Sequence, residues 1–182
     1  FGEENSLKEF GEGIANVEAI STGLPSLDLA TGIGGFPRGR IVEIYGPEGA
    51  GKTTLALKVM AEAQKLAGQM PRMTYKPKDT KNIKPLSGRV GFLDVEHALT
   101  PTLLDIHGVK TGEGSGFYFD QPMGGDEALD KLYMMVESGL FDVIVVDSVA
   151  GLTTEDERAQ DAGESVMAST ARLMSNNLKK LV

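Results

Sequence analysis

Residues 46–53 carry the clearest chemistry in the chain: they read GPEGAGKT and directly follow the apolar run at residues 41–45. Glycines at three positions allow the backbone to turn tightly with several amide N–H groups pointing inward. A helix that begins near Lys52 would direct the positive end of its dipole to the same place. A polyphosphate fits such a cradle, so the segment predicts a site for a nucleoside triphosphate, ATP, formed by Gly46, Pro47, Glu48, Gly49, Ala50, Gly51, Lys52, Thr53 and Thr54.

Two side chains at the end of this loop have separate predicted tasks. Lys52 is expected to reach the β and γ phosphates as a point charge and is counted among the catalytic residues. The Thr53 hydroxyl is expected to bind a Mg²⁺ ion that keeps most of its water ligands. The alternative is a chance match in a glycine-rich turn, which the order strand, loop, helix argues against.

Acidic residues end two other apolar runs. Asp147 ends FDVIVVD, where its side chain would emerge beside the phosphate loop and hold Mg²⁺ together with Thr53, with Ser148 next to it. The alternative for Asp147 and Ser148 is a helix or turn cap. Glu96 ends GFLDVE and could polarise a water for in-line attack on the γ-phosphate. Asp94 is the competing acid, because strand alternation places both side chains on one face, but the position nearer the carboxyl edge favours Glu96.

The apolar runs and helical stripes predict how the chain is organised. Strands are expected at 41–45, 90–95 and 141–146, with helices at 53–67, 126–138 and 164–182 and a short buried helical piece carrying Leu24, Leu27 and Leu29. Alternation of strands with helices predicts an α/β fold with a doubly wound, mainly parallel sheet flanked by helices. Residues 1–22 are predicted to form a lead-in segment and residues 23–182 the core. A surface insert is predicted at 69–88, where three prolines and five basic residues cluster.

Composition limits the class of protein. The chain has 182 residues, 41% of them hydrophobic, and no cysteine, which excludes disulfides and thiolate metal sites. No apolar run approaches the length of a membrane span and no signal peptide is evident, so a soluble cytoplasmic protein is expected. The net charge of −8 argues against indiscriminate binding to phosphate backbones but allows a local basic groove. The absence of an initiator Met suggests a fragment or a processed chain. Neither His97 nor His107 has the spacing of a metal site.

Several longer strings together resemble the bacterial RecA recombinases: AISTGLPSLDLATGIGGFPRGRIVEIYGPEGAGKTTLALKVMAEAQ, FLDVEHALTP and FDVIVVDSVAGLT. The resemblance extends over nearly all of the chain except residues 69–88. It implies a RecA-like ATPase core that assembles into a helical filament on single-stranded DNA and exchanges strands with double-stranded DNA. It also implies that Glu96 is the base that activates water and that Asp147 with Ser148 lies at the Mg²⁺ and the γ-phosphate.

The resemblance places DNA contacts late in the chain. Residues 154–167 match the family's first DNA-binding loop, and the following helix matches positions that approach the DNA backbone. The residues carried over are Gly163, Met167, Arg172 and Lys179. Without the resemblance, the same stretch reads as an acidic connection followed by an amphipathic helix.

The chain departs from the family pattern in three respects. Thr100 and Leu103 occupy positions where relatives place an acidic residue and a tyrosine near the adenine, which puts purine selectivity in doubt. The basic insert has no counterpart in the usual pattern. The chain also begins after the family's N-terminal polymerisation helix and ends before its γ-phosphate-sensing glutamine.

Three functions therefore compete. The first is an ATP-dependent DNA recombinase that acts as a DNA-dependent ATPase. The second is a nucleotide-gated self-assembly module, and the third is a motor of the same superfamily without strand exchange. The sequence segments EHAL and VDSVAGLT favour the recombinase over the motor.

Overall fold

A parallel three-stranded sheet forms the centre of the computed structural model, which describes residues 18–69, 87–149 and 152. The sheet is preceded by a small antiparallel pair of strands. In chain order, the elements are β1 (Ala19–Ile20), α1 (Pro25–Ala30), β2 (Phe36–Pro37), α2 (Lys52–Lys65), β3 (Val90–Asp94), α3 (Pro101–His107), β4 (Phe117–Asp120), α4 (Gly125–Glu137) and β5 (Val143–Asp147).

The strand order β4-β3-β5 puts β3 in the middle, and both neighbours run parallel to it. Every residue of β3 is buried, as expected for a strand of a parallel sheet whose two faces are both covered by helices. The predicted α/β fold with a mainly parallel sheet is confirmed.

Helices cover opposite faces of β3. Val90 and Phe92 join the main core cluster with Leu57 and Met60 of α2. Successive positions of a strand alternate between its two faces, so position 91 lies on the face opposite to Val90 and Phe92. A Cβ atom at Gly91 would lie 2.0 Å from the Cε atom of Met135 in α4, so a larger residue here would require the Met135 side chain to move.

Two local predictions are wrong. Residues 41–45 form no strand and are largely exposed, with Ile41 at 47% and Tyr45 at 87%. Apolar character indicates that a segment suits a sheet, but a strand also needs a partner for its backbone hydrogen bonds. Within the described residues, β5 pairs with β3, and 41–45 pairs with neither.

The helical piece before this segment does form, as α1, but it is not buried. None of its residues is buried, and Leu29 is 83% exposed. Leu24 precedes the helix as its N-cap residue. Three leucines spaced two and three apart cannot all face one side of a helix, which is why this piece lacks a buried stripe.

A cluster of polar side chains holds the segment between β1 and α1. The Asp28 carboxylate accepts hydrogen bonds from the Ser21 hydroxyl (2.5 Å), the Thr22 hydroxyl (2.6 Å) and the Thr22 backbone N–H (2.8 Å). Desolvation opposes ionisation of Asp28, but these hydrogen bonds outweigh it and hold the pKa of Asp28 below its ordinary value. The cluster therefore ties the segment after β1 to α1 and favours the ionised carboxylate.

Replacing Asp28 with Asn should lower the free energy of unfolding at pH 7 by about 1–2 kcal/mol, because one oxygen acceptor becomes a donor. The folded pKa of Asp28 lies below the unfolded value of 3.8, so its stabilisation is present above that pH and is lost as pH falls through the folded pKa. Urea denaturation of both proteins between pH 7 and pH 3 should show the gap closing below about pH 4.

The exposed Asp105 provides a matched control, because Asp105→Asn should change the stability by less than about 0.5 kcal/mol. Equal effects of the two substitutions at pH 7 would remove Asp28 from this role. A gap that stays constant down to pH 3 would do the same.

Candidate functional site

The loop before α2 has the backbone of an anion cradle. Gly49 (φ 73°) and Gly51 (φ 89°) lie in the left-handed region that favours glycine, whereas Gly46 does not. Gly51 is the N-cap residue of α2, and no side chain caps this end of the helix. The amide N–H groups of the first turn are therefore available to a ligand, and the helix dipole favours a negatively charged one.

Lys52 lies over this loop. Its ammonium group donates to the carbonyl oxygens of Gly46 (3.1 Å) and Pro47 (2.9 Å). An ammonium group has three donors, so one remains for an anion bound in the loop. The loop itself is exposed from Gly46 to Gly51, including Glu48, and Ala50 closes its turn by an N–H bond to the Pro47 carbonyl oxygen (3.2 Å).

A hydrogen bond joins the start of α2 to the end of β5. The Thr53 hydroxyl donates to Oδ2 of Asp147 at 2.5 Å, although the two residues are 94 positions apart in the sequence. The predicted pair of Mg²⁺ ligands is thus brought together. Thr54 follows on the same turn of α2 and is half-buried.

Glu96 lies at the same edge of the sheet. The backbone N–H groups of Val95 and Glu96 both donate to the Asp147 carbonyl oxygen, at 2.8 and 3.3 Å. The Glu96 carboxylate accepts a short hydrogen bond from the Ser148 hydroxyl. Glu96 is exposed, so its carboxylate is accessible from solvent.

Asp94 and Glu96 differ sharply in their surroundings. The strand ends at Asp94, so the expected alternation does not continue to Glu96. Asp94 is only 2% exposed, and both of its oxygens accept hydrogen bonds from backbone N–H groups of Ala98 and Leu99. Of the two acids, Glu96 is the one exposed beside Asp147 and Ser148.

The sequence analysis predicted neither the hydrogen bond of Gln121 nor the helix-capping role of Thr100. The Gln121 side chain donates to Oδ2 of Asp94 at 3.0 Å. The Thr100 side chain accepts a hydrogen bond from Leu103 N–H (3.3 Å) and caps α3. Thr100 before Pro101 was a readable capping signal. No local sequence pattern identifies Gln121, because its hydrogen-bond partner, Asp94, lies 27 residues away in the chain.

Neither histidine is buried. His97 is exposed in the turn after Glu96, and His107 lies in the last turn of α3. Within residues 18–69 and 87–149, no three His, Asp or Glu side chains cluster as a metal site would need. Thr53 and Asp147 offer one hydroxyl and one carboxylate oxygen ligand, which fits the few protein ligands that Mg²⁺ takes when phosphates and water supply the others.

Several predicted features lie outside the described residues. These are the DNA contacts Gly163, Met167, Arg172 and Lys179, the helix at 164–182 and nearly all of the insert at 69–88. In the part of the chain that the structure describes, no helix is both long and apolar enough to cross a lipid bilayer.

The parallel sheet, the glycine loop before α2 and the acids at the carboxyl edge place the chain in the α/β class. The family model of the RecA N-terminal domain matches residues 1–76 and 77–182. The boundary between the two matched segments falls within the predicted insert. The chain therefore belongs to the RecA family.

Curated relatives support this assignment. Protein RecA of Deinococcus radiodurans is 44% identical over the whole chain, and protein RecA of Clostridium botulinum strain Alaska E43 is 43% identical over the whole chain. Protein RecA of Dichelobacter nodosus is 45% identical over 98% of the chain. The chain spans 44–45% of the length of these relatives.

Proposed function

We propose that the protein is an ATP-dependent DNA recombinase, which binds single-stranded DNA as a filament, hydrolyses ATP and promotes homologous pairing and strand exchange with double-stranded DNA. The observation that carries the proposal is the convergence of Thr53, Asp147, Ser148 and Glu96 at one sheet edge in a chain of the RecA family. Residues 23–182 would supply part of the ATPase core and residues 1–22 its lead-in. ATP and DNA are both intracellular, so the proposal places the protein in the cytoplasm.

Binding of the triphosphate falls to residues 46–54. Their amide N–H groups and the start of α2 would hold the phosphates. Lys52 would exchange its two carbonyl partners for phosphate oxygens, which is favourable because a charged acceptor replaces a neutral one. Thr53 and Asp147 would hold Mg²⁺, which neutralises charge on the phosphates when it is bound.

Hydrolysis falls to Glu96. Its carboxylate would accept a proton from a water molecule whose oxygen forms a bond to the γ-phosphorus, while the bond from that phosphorus to the β–γ bridging oxygen breaks and ADP leaves. Ser148 donates a hydrogen bond to the same carboxylate and would orient it. The free lone pairs of the carboxylate remain for the water.

DNA binding and filament assembly extend beyond the ATPase site. We assign contacts with the DNA backbone to Arg172 and Lys179, and contacts in the preceding loop to Gly163 and Met167. Support comes from the family membership of the chain and from relatives named protein RecA. Self-association would place ATP between neighbouring subunits.

Replacing Lys52 with Ala should weaken binding of ATP by about ten-fold or more, because a charge-assisted contact of roughly 1.5–3 kcal/mol is lost. Titration of a fluorescent ATP analogue against both proteins measures this directly. Lys65→Ala is the control, because Lys65 lies at the other end of α2 and pairs with Glu62. Unchanged affinity in the Lys52 variant would contradict the proposed phosphate site.

Replacing Glu96 with Gln should keep ATP binding and lower the rate of hydrolysis by about 10²–10⁴-fold, because the amide keeps the shape but cannot accept the proton. Phosphate release and nucleotide affinity are measured on the same preparation. Glu113→Gln, in the exposed loop before β4, is the control and should hydrolyse ATP at the normal rate. Normal turnover by the Glu96 variant would exclude Glu96 as the base.

The recombinase proposal as a whole is tested with the full-length protein. ATP hydrolysis should rise strongly on addition of single-stranded DNA, and this stimulation should fall as salt rises, because phosphate contacts release counterions. A strand-exchange assay then follows. A rate of ATP hydrolysis that is the same with and without DNA at every salt concentration would refute the recombinase proposal and favour a nucleotide-gated assembly module.

A further inference from the structure

A buried carboxylate lies two residues before Glu96. Asp94 is 2% exposed, and its oxygens accept three hydrogen bonds: from Ala98 N–H (3.1 Å), from Leu99 N–H (3.1 Å) and from the Gln121 side chain (3.0 Å). Burial of an ionisable side chain is costly unless hydrogen bonds compensate for the lost water, so the partners of Asp94 indicate what it holds. Two of them belong to the turn that follows Glu96.

The turn at residues 95–99, which we call the Glu96 turn, is held by hydrogen bonds at both ends. On the near side, the N–H groups of Val95 and Glu96 bind the Asp147 carbonyl oxygen. On the far side, the Asp94 carboxylate binds the N–H groups of Ala98 and Leu99. Between them, His97 adopts φ 55°, which is uncommon for a residue other than glycine and persists only when the surroundings enforce it.

Gln121 links this turn to a third strand. It follows β4, and its side-chain amide reaches Oδ2 of Asp94, the oxygen that also accepts the Leu99 N–H. Loss of Gln121 leaves that oxygen with one partner fewer and frees the buried carboxylate to shift. The location of the Glu96 turn thus depends on β4 as well as on β5.

We propose that Asp94 and Gln121 are positioning residues for Glu96 and hold its turn where the carboxylate can act on water. The inference rests on the proposed role of Glu96 as the base and deepens it. Neither residue contacts the reacting atoms in this proposal. Their effect is geometric, and a displacement of about 1 Å at a reacting group can lower a rate by roughly 10²-fold.

The first variant is Asp94→Asn in the full-length protein. The amide nitrogen would replace an oxygen that accepts hydrogen bonds, and it would face another donor. We expect kcat for ATP hydrolysis to fall by about 10–100-fold with KM for ATP within about three-fold of the wild type, since the phosphate loop is untouched.

The second variant is Gln121→Met, which keeps the length of the side chain and removes one of the three hydrogen bonds. We expect kcat to fall by about 3–10-fold, again with little change in KM. Gln64→Met is the matched control. Gln64, like Gln121, ties down a loop by side-chain hydrogen bonds, here to Lys110 and Ser115, but this loop does not contain Glu96. Its kcat should stay within about two-fold of the wild type.

The outcomes separate the possible failures when Glu96→Gln is measured in the same assay. Wild-type turnover by the Glu96 variant would refute the proposed base and the positioning pair with it. Loss of turnover in that variant, together with wild-type kcat in folded Asp94→Asn and in Gln121→Met, would refute the positioning pair alone. If Asp94→Asn does not fold, Gln121→Met decides: a lower kcat at unchanged KM supports the pair, and behaviour identical to Gln64→Met overturns it.

Discussion

Parallel pairing of β3 with β5 is the constraint on which the site depends. The register places Asp94 beside Asp147 and lets the Asp147 carbonyl oxygen accept the N–H groups of Val95 and Glu96. The Asp147 side chain binds Thr53 at the start of α2, and Ser148 binds Glu96. A slip of the two strands by one residue would reverse the faces of the alternating side chains and separate all of these groups.

The helix α2 links the core to the glycine loop at residues 46–51. Its buried face, including Leu57 and Met60, packs against β3, so the first turn of the helix has a fixed place at the sheet edge. The glycine loop that precedes it remains exposed. This division is physically useful, since the buried helix supplies rigidity while the exposed amide groups stay available to an anion.

Much of the site could be predicted from sequence because its parts are local. The glycine loop before α2, the strand ends at Asp147 and near Glu96, and the helices α2 and α4 all follow from short patterns of glycine, charge and apolar spacing. Prediction failed where the outcome depended on a distant partner. Residues 41–45 have the composition of a strand but no pairing partner among the described residues.

The sequence by itself determined the class of fold, the glycine loop before α2 and the family, because each follows from contiguous residues of distinctive type and spacing. Tertiary structure set the different surroundings of Asp94 and Glu96, since strand β3 ends between them and leaves one carboxylate buried and the other exposed. It also brought Gln121 to Asp94 and Thr53 to Asp147. Such contacts join residues far apart in the chain, and the packing of the sheet sets their distances.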